Sequence, residues 1–213
     1  MISAAYITAD VAGSTHLFTS AEMERLSVEI RTILAGEDCI FTFNRFDSIQ
    51  VLHRDPVKSL WLVMQIRSAV RKFSQRKPDI RMCLGLGYAD PAIMDFTFLK
   101  DNLFVRTGRE FDRMAGEKNW FSILVTEDPD QHLQPGFSAL GLFLDFLFRH
   151  ITFKQIQVLS DLLKGYPQTE IARLQNKSVP TINKQVKALS WENFRALDEL
   201  YRQQLQNQEK NAL

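Results

Sequence analysis

Asp10 ends the apolar, β-branched run "AAYITADV", and the chain leaves it through Gly13, Ser14 and Thr15. Asp47 follows thirty-seven residues later, between the β-rich runs "CIFTFNRF" and "SIQVLHR". So little separates those two runs that they form an antiparallel hairpin with the acid at its tip. If the first strand lies beside the hairpin, both carboxylates share one rim of the sheet. Two such acids raise each other's proton affinity unless a cation neutralises them. Magnesium suits the arrangement, because it takes one or two carboxylates and completes its shell with phosphate oxygens. Gly13, Ser14 and Thr15, opening a helix, would turn backbone N–H groups and the positive helix end toward that phosphate. Asp10 and Asp47 are therefore the candidate metal ligands, and Gly13, Ser14 and Thr15 the candidate nucleotide-binding residues. Mg²⁺ with a nucleoside triphosphate is the implied cofactor. A turn that only caps a helix uses the same residue types.

A second set lies in "ITFKQIQVLSDLLKGYPQTEIARLQNKSVPTINKQVKALSWENF". Thr152 caps a helix that stops at Gly165, Gln168 and Thr169 open a short one, and Ser178 caps a third with Pro180 in its first turn. Small Ala172 permits a close crossing, and Ile182 and Val186 pack beneath. That leaves Thr181, Asn183, Lys184 and Lys187 on the outward face, with Lys177 in the turn before them. In a major groove, Thr181 and Asn183 would read base edges while Lys177, Lys184 and Lys187 meet phosphates. Double-stranded DNA is the partner such a face implies. A homodimer on a two-fold related site follows, since one module of this size seldom binds tightly alone.

The elements that must position these residues are legible from periodicity. Met23, Leu26, Ile30 and Leu34 recur at helical spacing after Ser20, and Asp55 with Pro56 opens a second helix bearing Leu60, Val63, Met64 and Val70. "IRMCLGLGYA" reads as a buried strand, "NLFVRTGREFDRMAGE" as a third helix and "WFSILVTED" as a closing strand. The order predicts an α+β, ferredoxin-like sheet with its helices on one face, spanning 1–128. The Pro, Gly and polar content of "PDQHLQPG" (129–136) marks a linker, so 129–150 reads as linker and connecting helix, and 151–213 as an all-helical domain. The connecting helix, "FSALGLFLDFLFRH", is apolar nearly all round and is expected between the domains or in a dimer contact.

Composition excludes several classes. The 213 residues are 45% hydrophobic and 24% charged, as in an ordinary globular protein. The longest apolar run is too short to span a bilayer and carries Asp145, and no leader pattern stands at the start, so no membrane partner and a cytoplasmic location are expected. Cys39 and Cys83 lack metal-ligand spacing and read as reduced thiols. His16, His53, His132 and His150 form no cluster with a nucleophile. Residues 151–213 carry nine basic against six acidic side chains, while 1–150 carry seventeen against nineteen.

"ADVAGST", "RFDSIQV", "IRMCLGLGYAD" and "VRTGREFDRMAGEKNWFSILVTED" together resemble the class III nucleotide cyclase homology domain. The closer resemblance is to the SatD-like proteins, which join such a domain to a helix-turn-helix. This implies a nucleotide-cyclase-like sheet and puts Asp10 and Asp47 in the position of two-metal ligands. The chain departs from the family at three points. Phe46 stands where glycine usually precedes the second acid, Arg106 or Thr107 occupies the place of a catalytic Asn, and neither Arg109 nor Arg113 falls in the register of a catalytic Arg. Catalysis is therefore not expected. The tail resembles the "Q-x-E-I-A…S-x-x-T-[VI]" pattern of sigma-factor-like and LuxR-like helix-turn-helix modules, with Gln175-Asn176-Lys177 where Leu-Gly-apolar is usual. Asn176 tolerates the left-handed conformation that glycine normally supplies. The expected function is a DNA-binding transcriptional regulator whose degenerate cyclase-like domain senses a nucleotide or Mg²⁺. The competing classes are a nucleotide cyclase or other phosphoryl-transfer enzyme with a helical dimerisation domain, and a protein-protein scaffold.

Overall fold

The computed structural model describes residues 2–44, 47–96, 101–117, 119–128 and 132–211, with side chains to residue 207. Phe46 and residues 129–131 of the expected linker lie outside them. Strand β1 (Ala4–Ala12) is followed by the single turn α1 (Ser14–Leu17) and the long helix α2 (Ser20–Leu34). Thr19 starts α2 with a capping box, its side chain accepting from the Glu22 N–H while the Glu22 carboxylate accepts from the Thr19 N–H. The hairpin is β2 (Cys39–Asn44) and β3 (Ser48–His53). After it, Asp55 caps a short 3₁₀ turn (Pro56–Lys58) that leads into α3 (Ser59–Lys72). Then come β4 (Asp79–Gly87), α4 (Asn102–Met114) and β5 (Phe121–Val125).

The strands form one sheet in the order β2-β3-β1-β4-β5, antiparallel except for the parallel pair β4 and β5. β1 is central. Alternation sends Ala5, Ile7, Ala9 and Val11 into the core shared with α2 and α3, and Ala4 and Tyr6 into a second cluster on the opposite face. There α4 packs, with Leu103 and Phe104 against Tyr6 and Leu52. The expectation of helices on one face is thus corrected. Because β1 is apolar on both faces, one helical layer leaves half of it in water, and α4 covers that half. Gly85 on β4 makes the approach possible, since a Cβ there would lie 1.8 Å from Thr107 Oγ1.

Helix α5 (Gln134–His150) begins inside the segment expected as linker. Pro135 sits in the first turn, where its missing N–H is no loss, and the Asp128 carboxylate accepts from the N–H groups of Leu133 and Gln134. The remaining helices are α6 (Phe153–Leu163), α7 (Gln168–Leu174), α8 (Val179–Ala188) and α9 (Trp191–Asn211). They share the main core. Trp61 Nε1 and Gln65 Nε2 on α3 both donate to the Leu163 carbonyl that ends α6, and the Tyr201 hydroxyl on α9 donates to the Pro56 carbonyl at 2.7 Å. On α5, Phe137 and Phe148 meet Tyr201 and Phe194 edge-on, while Leu142, Phe143 and Phe146 face outward.

Asp145, the acid in the apolar run, has a buried partner. Arg67 on α3 is fully buried and donates to both oxygens of Asp79 at 2.9 Å and to Asp145 Oδ1 at 2.8 Å. The Phe148 ring lies 4.8 Å from its guanidinium carbon. A guanidinium can occupy such a place only because carboxylates from two elements neutralise it.

Candidate functional site

The sheet brings the two acids of the first motif to one rim. Asp10 pairs in register with Ser48, and the Val11 N–H donates to the Asp47 carbonyl at 3.0 Å. Gly13 takes the left-handed conformation, φ 67°, which turns the chain so that Ser14 Oγ donates to Asp47 Oδ2 at 2.8 Å. Ser14, Thr15, Phe18, Met23 and Asp47 line an adjoining open cleft of about 620 Å³. Partial burial holds the Asp10 carboxyl above its ordinary value, and Asp47 adds to the rise. Arg81 opposes it. On β4 directly opposite Asp10, it lies with Nη2 4.0 Å from Asp10 Oδ2 and its guanidinium over the Phe111 ring.

These donors limit what the rim can hold. Among the described residues no group of three or more His, Cys, Asp or Glu side chains is placed to bind a metal ion. Two carboxylates and a hydroxyl fit Mg²⁺ where phosphate oxygens and water fill the rest of its shell. The helix after Gly13 is one turn long, so its dipole adds little at the rim. On α4, Arg106 donates to the Thr126 carbonyl, Thr107 is buried against Gly85, and Arg113 is paired with Glu110 and Glu117. Sequence reasoning missed Arg81. Its signal was a charged residue inside the apolar run "DIRMCLGLG", but only strand register puts it beside Asp10.

The tail places its residues less uniformly. After α7 the chain turns at Asn176, φ 51°, with the Lys177 N–H donating to the Ala172 carbonyl at 2.9 Å. This is the bond that closes a Schellman-type helix end. Ser178 caps α8 by accepting from the Thr181 N–H, and Ile171, Ala172, Ile182 and Val186 are buried beneath. Thr181, Lys184 and Lys187 are exposed along one face. Asn183 departs from its expected outward position. It is half-buried and its Nδ2 donates to Gln168 Oε1 at the start of α7. Lys177 is also half-buried, with Nζ 3.2 Å from Gln175 Oε1.

No family model matches the sequence, and no curated protein matches it. Among solved structures, the chain is similar to a crystal structure of the guanylyl cyclase Cya2, at 11% identity and a TM-score of 0.39 over 52% of this chain and 69% of that one. Among the described residues, no helix is long and apolar enough to cross a membrane.

Proposed function

We propose that this protein is a DNA-binding regulator in which α7 and α8 act as a helix-turn-helix with α8 as the recognition helix. One observation carries the reading: Thr181, Lys184 and Lys187 stand exposed at three-residue spacing on α8, while Ile182 and Val186 anchor its other face. Lys184 and Lys187 meet phosphates, which binds duplex DNA without sequence preference, and Thr181 is the exposed group that reaches a base edge. Asn183 contributes once a side-chain rotation releases Gln168. A cytoplasmic homodimer gives the two-fold arrangement that tight binding needs. Fluorescence anisotropy with a random-sequence duplex at two salt concentrations tests this. Affinity falls steeply with salt in the parent, and Lys184→Ala with Lys187→Ala weakens binding and reduces the salt slope by about 2. No binding at low salt overturns it.

The sheet domain serves in this reading as the effector module, as the resemblance to the SatD-like proteins suggests. Asp10, Asp47 and Ser14 receive a Mg²⁺-borne phosphate, with Gly13 and Thr15 beside it. The 620 Å³ cleft next to Asp47 supports the assignment. ATP or GTP with Mg²⁺ raises the melting temperature of the parent and not of Asp47→Asn. An unchanged parent removes the effector role and leaves DNA binding untouched.

A further inference from the structure

Helix α5 hides only one of its two apolar faces. Phe137 and Phe148 are buried against Tyr201 and Phe194 of α9, Gly141 meets the Ile123 backbone of β5, and Asp145, the one acid of the helix, turns inward to Arg67. The opposite face carries Ala139, Leu142, Phe143, Phe146 and His150, spaced i, i+3, i+4, i+7 and i+11. On it Leu142, Phe143 and Phe146 are 58%, 42% and 53% exposed. The outward face of a surface helix is ordinarily polar, and a helix apolar all round is a buried one. This stripe has neither acid nor lysine.

Its rings are already ordered. Phe143 and Phe146 stack with centroids 6.3 Å apart and planes at 9°. The His150 ring lies 4.1 Å from that of Phe146, with Nδ1 2.7 Å from the Phe146 carbonyl oxygen. A ridge fixed in this way has little side-chain freedom left to lose when something covers it.

We propose that this face of α5 is covered by the same face of a second copy of the chain, the two helices running antiparallel across a two-fold axis near Leu142 and Phe143. The area fits. The exposed parts of the three large side chains come to about 300 Å² in each copy, as much as the largest apolar patch of many whole monomers. At the roughly 65% apolar share of a homodimer contact, the pair buries about 1,000 Å² in all, the lower end for a specific interface. Charge sets the direction. Arg149 and His150 close the C-terminal end of the stripe, whereas exposed Glu127 and the capping Asp128 stand at the N-terminal end. The two ends lie on opposite sides of the midpoint, each about 10–14 Å along the helix axis. An antiparallel crossing sets each basic end beside the partner's acidic end, and a parallel one brings the two basic ends together. A patch apolar at its centre and opposite in charge at its ends is complementary to itself, as an isologous contact requires. The inference rests on the homodimer of the preceding reading and not on its DNA contacts.

Sedimentation velocity of the full chain without DNA, across the micromolar range, is the test. An interface of this size is a weak one, so the parent passes from monomer to dimer as concentration rises. Phe146→Asp and Leu142→Asp each weaken the association by about tenfold or more, because each puts a charge at the centre of the contact. Both side chains are exposed in the single copy, and unchanged melting confirms that the variants fold. Val28→Asp, at a 57% exposed apolar position on α2, associates like the parent. Mild oxidation in a Cys39→Ser background fixes the direction: Leu142→Cys, beside the axis, gives a disulfide-linked dimer and His150→Cys does not. A parent that stays monomeric throughout overturns the proposal, and leaves DNA binding by a single module as the anisotropy experiment finds it. A dimer that persists unchanged in folded Phe146→Asp also overturns it. So does a linked dimer from His150→Cys in place of Leu142→Cys.

Discussion

Arg81 on β4 lies directly across from Asp10 on β1, its Nη2 4.0 Å from Asp10 Oδ2. The guanidinium supplies a positive charge at the rim, but burial and Asp47 outweigh it, and the Asp10 carboxyl stays above its ordinary range. A carboxyl whose folded pKa is raised destabilises the fold when ionised, fully so above the folded pKa and not at all below the unfolded one. Asp10→Asn therefore raises stability at pH 7, by under about 1 kcal/mol because the side chain is part-exposed. The gain shrinks as the pH falls through the Asp10 pKa. Thermal denaturation of parent and variant between pH 7 and pH 3 measures it.

Arg67 binds the core through charge. Replacing it with Met leaves Asp79 and Asp145 without their shared buried partner, although Arg71 and Arg149 still reach them. Urea denaturation of Arg67→Met shows a loss of about 3–5 kcal/mol, the range for breaking a buried ion pair from one side. Adding Asp145→Asn recovers part of it.

The face occupied by α4 depends on one missing side chain. Gly85→Ala puts a methyl 1.8 Å from Thr107 Oγ1, and α4 must shift outward. A loss of about 1–3 kcal/mol is expected, as for other overpacked sites. Thr107→Ala added to it relieves the worst contact, leaving the Thr107 Cβ position at 3.0 Å, so stability returns in part.

His53 makes stability depend on acidity. Burial holds its imidazole below the ordinary value near 6.5, against the opposing pull of Glu37 and Asp55 and with Lys58 acting in the same direction as burial. The neutral ring is thus the folded form. Its contribution is full above the unfolded pKa and is lost as the pH falls below about 6.5, at up to about 1.4 kcal/mol per pH unit. Melting curves from pH 8 to pH 5 show a steeper decline for the parent than for His53→Gln.

Much of the scaffold is written locally. Asp55, Thr152 and Ser178 are caps where their spacing to the following apolar stripes predicts them, and Asn176 takes the left-handed turn that its side chain tolerates. The apolar, β-branched run "AAYITADV" and the short gap at Asp47 suffice for the central strand and its hairpin. Those features rest on interactions within a few residues, which is why the sequence alone shows them. The same locality misleads at Pro135 and Gly136. Their composition signals a loop, yet Pro135 serves as a helix opener once Asp128 and the sheet edge are in place.

What the sequence by itself determined is the helices, strands and caps, and that two acids and a lysine-bearing helix were available for chemistry. Tertiary structure alone decided which face α4 covers, that Arg81 stands across from Asp10, and that Asn183 turns toward Gln168. Each of these is a contact between segments distant in the chain or a choice between two faces of one element. Strand register and helix packing, which make that choice, come from the burial of the whole core and leave no mark at any single position.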